Sequence, residues 1–215
     1  VSNSDTFIDE VADELRRERL FGALKRYGWI AGLLVLVVAG GVAWTEWQQR
    51  ASETEAQSFG DTLLASLDAA NPEERRAVLD AASAEGDRRA VLDLMAASDP
   101  SEDKAATMAA LDRVIAQDGI SAVFHDLAVL RKAVVAGTDL SIDDRRALLE
   151  PISQPGQPYR ALAREQLAYL DIEAGDIPAA ITKLTALTTD REATQGLRQR
   201  AGQIVTALGG TISAE

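Results

Sequence analysis

The side chains that could do chemistry are few and scattered. His125 is the chain's entire supply of imidazole, and there is no cysteine. Thiolate nucleophiles, disulfides and Cys-based zinc sites are therefore excluded. His125 falls on an expected helix with Asp126 beside it, and neighbours in sequence do not face one another on a helix. Paired acids occur at Asp143-Asp144 and Glu53-x-Glu55, at helix starts and on exposed faces where nothing would raise a carboxyl pKa toward general-acid work. No G-x-S-x-G, H-E-x-x-H or phosphate-binding glycine loop is present. An acid followed by an arginine pair recurs at Glu73-Glu74-Arg75-Arg76, Asp87-Arg88-Arg89 and Asp143-Asp144-Arg145-Arg146. The pattern could serve recurring anion sites, but it equally describes a helix first turn with acids at the positive end and arginines on the solvated face, which is the expectation adopted. The inventory points away from an enzyme, a metal or a cofactor, and toward binding.

The element that must position any binding surface is the run from Gly28 to Trp44, which contains no charged or strongly polar side chain. At about 1.5 Å per helical residue, Trp29 to Trp47 covers about 27 Å, close to a hydrocarbon core of roughly 30 Å. The three tryptophans of the chain, Trp29, Trp44 and Trp47, sit at the two rims with Tyr27, where amphipathic rings favour the headgroup layer. A buried core helix would rarely carry every tryptophan at its ends. A cleaved signal peptide is the stronger rival, since Gly41-Val42-Ala43 offers small residues at a suitable spacing, yet the acid-rich segment ahead of the run is unlike a short basic leader. The expectation is a transmembrane helix over 27–47.

Its direction follows from the basic residues beside it. Arg16, Arg17, Arg19, Lys25 and Arg26 precede the span, whereas only Arg50 follows within a comparable distance, so residues 1–26 are expected in the cytoplasm and residues 48–215 outside it. Within 1–26, Phe7, Ile8, Val11, Leu15 and Phe21 give an amphipathic helix suited to the inner membrane surface. Gly28 and Gly32 form a G-x-x-x-G that permits close helix pairing in the bilayer. From residue 46 onward 17 Lys/Arg stand against 28 Asp/Glu, a balance of −11 that repels nucleic acid and anionic headgroups.

Beyond Trp47 the helix is expected to continue to Ala70, where Asn71-Pro72 stops it. Helical patterns then cover Glu73 to Ala84, Asp87 to Ala97, Ser101 to Gln117, Ser121 to Ala136, Ile142 to Glu150, Tyr159 to Ala174, Ile177 to Thr188 and Ala193 to Leu208, with the loop from Pro151 to Pro158 as the longest break. Nothing alternates with the strand period, so the fold class is all-α. Shifting the chain by 73 residues brings Leu111 onto Leu184, Phe124 onto Leu197, Ala128 onto Ala201 and Gly137 onto Gly210, so a helix pair is reused.

In the last full unit Leu167-Ala168 is followed by Ala180, Leu184 and Leu187. This resembles the tetratricopeptide repeat, with Ala168 and Asp171 where that family has Gly and Tyr, and without its terminal Pro. The resemblance implies a TPR-like α-solenoid of antiparallel helix pairs. It also implies a concave groove lined by the first helix of each pair: His125, Val129 and Lys132; Glu165, Tyr169 and Ile172; Arg198 and Val205. The architecture of a short charged segment, one span and a degenerate repeat domain is similar to the YfgM family, ancillary subunits of the SecYEG translocon. The likeness is carried by Glu14-Leu15-Arg16-Arg17-Glu18-Arg19 and Lys25-Arg26-Tyr27-Gly28-Trp29 and by the small residues of the repeats. It implies a single-pass inner-membrane protein with a periplasmic domain, whose partners are the Sec translocon, periplasmic chaperones and exported polypeptides. Two alternatives share the same architecture: an accessory subunit of another inner-membrane complex held through its span, or a periplasmic binding protein released after Ala43.

Overall fold

A computed structural model describes residues 33, 36–37, 39–42, 44–50, 52–101 and 103–211. The amphipathic segment 1–26 with its five basic topology residues, and Tyr27, Gly28, Trp29 and Gly32 of the expected span, lie outside the described residues. The chain divides into Val1–Ser58 and Phe59–Glu215.

In the first unit the described residues are helical, and Leu33, Leu36, Val37, Val42, Trp44 and Trp47 are all more than half exposed. Trp44 and Trp47, one turn apart, tilt against each other with ring centroids 5.7 Å apart. Among the described residues no helix is long and apolar enough to cross a membrane, which leaves the span as an expectation resting on residues partly outside them.

The second unit opens with helical residues 59–68 (α1), two residues short of the expected stop. It continues with α2 (Pro72–Ala81), α3 (Gly86–Ala96), α4 (Lys104–Ile115), α5 (Ala122–Ala136), a 3-10 turn (Gly137–Asp139), α6 (Ile142–Ile152), α7 (Arg160–Glu173), α8 (Ile177–Thr188) and α9 (Gln195–Ala207). No strand occurs among the described residues. The helix starts have local causes. Asn71 accepts from the Glu74 N–H at 2.8 Å while the Glu74 carboxylate accepts the Ala70 N–H at 3.1 Å, a reciprocal cap. Asp103, Ser141, Asp176 and Thr194 cap α4, α6, α8 and α9 by accepting a backbone N–H of the first turn, each contributing about 1 kcal/mol. The Asp103 cap moves the start of α4 past the expected Ser101.

Two further expectations are corrected. Helix α2 ends at Ala81 rather than Ala84, because the Arg89 guanidinium reaches back from α3 to the Leu79 and Ala82 carbonyls at 3.2 and 3.4 Å. Helix α6 runs through Pro151 to Ile152, residues assigned to the loop from sequence. A proline in the last turn forfeits one backbone bond, and burial of Ile152 offsets that loss. Ser153 then donates from both its N–H and its hydroxyl to the Glu150 carbonyl and closes the helix.

Consecutive helices pack against one another from α2 to α9, and α3, α5 and α7 also touch one another in order. The apolar core forms three successive clusters along the chain. Leu79, Leu92, Leu111 and Val114 anchor the first, Leu130, Leu149 and Leu167 the second, and Leu184, Leu187, Leu197 and Val205 the third. Such nearest-neighbour stacking is how a helical repeat array is built. Ala128, Ala168 and Ala201 are each 0% exposed, so the small residues picked out by repetition do lie where helices meet.

Candidate interaction surface of the repeat domain

The eight residues expected to line one groove divide into two sets. Val129, Glu165 and Val205 are buried at 4, 2 and 0% exposure and so offer little surface to a partner. Val129 belongs to the second core cluster and Val205 to the third, while Glu165 is held by Arg200 of α9. His125, Lys132, Tyr169, Ile172 and Arg198 stay partly exposed. Two of the five are engaged by neighbouring groups. Lys132 pairs with Asp112 of α4, and Arg198 donates to the Asp190 and Ala193 carbonyls ahead of its own helix.

What the structure does gather is a charged triad. Tyr169 donates its hydroxyl to Glu165 Oε1 at 2.7 Å, while Arg200 of α9 grips both carboxylate oxygens through Nε and Nη2 at 2.6 and 2.8 Å. Burial, and then the Glu165 carboxylate, pushes the Tyr169 phenol above its ordinary pKa. Glu165 likewise raises Arg200. A bidentate guanidinium on a buried carboxylate fixes both planes, so this corner orients α7 against α9.

The arginine pairs are the larger omission of the sequence reading. Arg76 meets Asp103 at 3.1 Å, Arg145 forks onto Glu173 at 2.9 and 2.5 Å, and Arg146 reaches Asp171 at 2.9 Å. Arg89 and Arg113 converge on Asp93, whose side chain is 1% exposed, and both also reach Asp80. These arginines therefore tie helices to one another and are not the solvated face expected of them. The signal was present but nonlocal, since the partner acids lie 25 to 28 residues downstream for Arg76, Arg145 and Arg146. Arg131 has a different role: its guanidinium donates to the Leu94 and Ala97 carbonyls at the end of α3, and burial lowers its pKa.

His125 and Asp126 do interact, contrary to the neighbour rule. Nδ1 lies 3.0 Å from Oδ1, the carboxylate is buried while the imidazole is half exposed, and the second oxygen of Asp126 has no hydrogen-bond partner. No acidic or histidine cluster with metal-ligand spacing occurs among the described residues.

Two of the concavities among the described residues lie beside α7, α8 and α9. A cleft of about 360 Å³ between the α6–α7 and α8–α9 connections has Pro158, Tyr159, Leu162 and Leu197 in its wall and Arg160 and Glu192 at its rim. A more polar and open groove of about 670 Å³ is bordered by Thr188, Arg198, Gln199 and Gln203. Mixed apolar and polar walls of this kind suit a peptide segment better than a compact metabolite, which a closed pocket would hold. No family model matches the chain, and no curated protein or solved structure matches it either.

Proposed function

We propose that this chain is a membrane-tethered, TPR-like scaffold on the periplasmic side of a bacterial inner membrane, associating with the Sec translocon and with periplasmic chaperones or exported polypeptides. The observation that carries the proposal is the uncharged run from Gly28 to Trp44, basic on its N-terminal side, followed by an acidic array of stacked helix pairs. The first supplies an anchor and an orientation. The second supplies extended, polar-rimmed surface with no nucleic-acid character, as protein partners require. Fold likeness to repeat proteins supports binding in general and not one particular client.

The test is purification of the full chain in mild detergent. Translocon components and periplasmic chaperones are expected with it, and their complete absence refutes the assignment. Topology is tested separately. Because the chain has no cysteine, Gln199→Cys is a unique label site, expected to react with a membrane-impermeant maleimide once the outer membrane is opened. Replacing residues 27–47 by an unrelated span separates attachment through the bilayer from attachment through the repeats. Retained association is expected, while loss favours an accessory subunit held by its span, to which Gly28 and Gly32 would contribute.

A further inference from the structure

Helix α1 is the first helix of the repeat unit, and only part of it is used by the fold. Phe59 and Leu63 pack on the first core cluster, and Ser66 is fully buried with its hydroxyl bonded to the Leu63 carbonyl at 2.7 Å. One step round the helix, Leu64 and Leu67 are 62 and 65% exposed, the most exposed leucines of this unit. They stand three residues apart, so they adjoin on one face. A repeat array ordinarily closes its ends with polar residues, because an end helix has no further repeat to cover it. Here the end carries two leucines.

On the helix itself the charge beside them has one sign. Asp61 and Asp68 are the i−3 and i+4 neighbours of Leu64 on the same side of the helix, and both are exposed. No Lys or Arg occurs between Arg50 and Arg75. We propose that this face of α1 docks a cationic amphipathic helix from another protein, its apolar stripe on Leu64 and Leu67 and its lysines or arginines against Asp61 and Asp68. A helix is the matching shape, since two leucines one turn apart present a ridge that fits between the i and i+4 rows of a partner helix. A second copy of this chain is a poor occupant: a self-complementary contact would set Asp61 and Asp68 of one copy against the same acids of the other, within a Debye length of about 8 Å. An anionic lipid surface is repelled for the same reason. With two anchoring side chains the contact belongs to the weak, transient class. The inference goes beyond tethering and needs no translocon, so a failed co-purification leaves it standing.

The experiment uses the full chain in nanodiscs of uncharged phosphatidylcholine, titrated into a fluorescent helical peptide with Leu on one face and Lys on the other. A peptide with Glu in place of Lys is the control, and empty nanodiscs are the blank. Saturable binding is expected for the Lys peptide alone. The double variant Leu64→Ser/Leu67→Ser, which removes no buried group, is expected to weaken it by about tenfold or more. Asp61→Lys/Asp68→Lys is expected to reverse the preference toward the Glu peptide. Circular dichroism of each variant establishes that the helices persist. Equal binding of both peptides, binding indifferent to the leucines, or efficient self-crosslinking of Leu64→Cys chains would each overturn the proposal.

Discussion

Asp93 is a buried carboxylate on which two arginines of the repeat domain converge. Its carboxylate is 1% accessible and accepts Arg89 Nε at 3.0 Å and Nη2 at 2.7 Å, Arg113 Nε at 2.9 Å and Gln117 Nε2 at 3.2 Å. Asp93→Ala deletes the acceptor common to α3 and α4 and leaves two guanidiniums without it. Removing one side of a buried ion pair costs about 3–5 kcal/mol. The lower end applies here, for two reasons. Arg113 is 44% exposed and recovers solvation, and both arginines keep Asp80 at 3.0 and 3.4 Å. About 3 kcal/mol in a domain of this size lowers the melting temperature by roughly 6–12 °C. The assay is a thermal melt followed by circular dichroism on the full chain in nanodiscs at neutral pH, with Arg89→Ala and the double variant completing a cycle. Arg89→Ala is expected to be destabilising in its own right, since it also uncaps the Leu79 and Ala82 carbonyls. The double variant should fall short of additivity by about 1 kcal/mol or more. A melt for Asp93→Ala within about 1 °C of wild type, or a strictly additive cycle, would refute the view that this network ties the first repeats together.

Three other predictions concern the far end of the array. Glu165→Gln should bring the Tyr169 phenol back down toward its ordinary pKa, and Arg200→Ala should push it further up, because Glu165 raises it and Arg200 lowers it; phenolate absorbance against pH measures both. Arg145 holds Glu173 below the ordinary glutamate pKa, so the folded-state value is depressed and the stabilisation is present at neutral pH. It is lost as pH falls through that depressed value, and the stability gap between wild type and Glu173→Gln should close in acid. Gly210→Ala would place a Cβ 2.8 Å from Val205 Cγ1 and 3.1 Å from both Ile181 Cγ2 and the Val205 carbonyl, and Val205 is fully buried. A loss of about 1–3 kcal/mol by chemical denaturation is expected, with Gly196→Ala, where the added Cβ meets nothing, close to neutral.

The sequence by itself determined the helices and the repeat. Apolar spacing is a local property, and it placed Ile177–Thr188 to the residue and most other helices to within a few. Small residues at Ala128, Ala168 and Ala201 marked the helix contacts, because close approach admits little else. Repetition misplaced one turn: the left-handed partner of Gly137 is Gly209, whereas Gly210 is packed against Val205 and Ile181. The tertiary structure alone decided the fate of the charges. Whether Arg145 or Arg146 faces water depends on Glu173 and Asp171, more than two helix turns beyond any local window, and the same holds for Glu165 and Arg200. A local pattern can say that an arginine follows an acid at a helix start; only packing says which carboxylate it meets. The tertiary structure also left Leu64 and Leu67 of the first repeat helix uncovered. They share helical spacing with Phe59 and Leu63, which pack on the first core cluster, but a helix that borders the array on one side can bury only part of such a face.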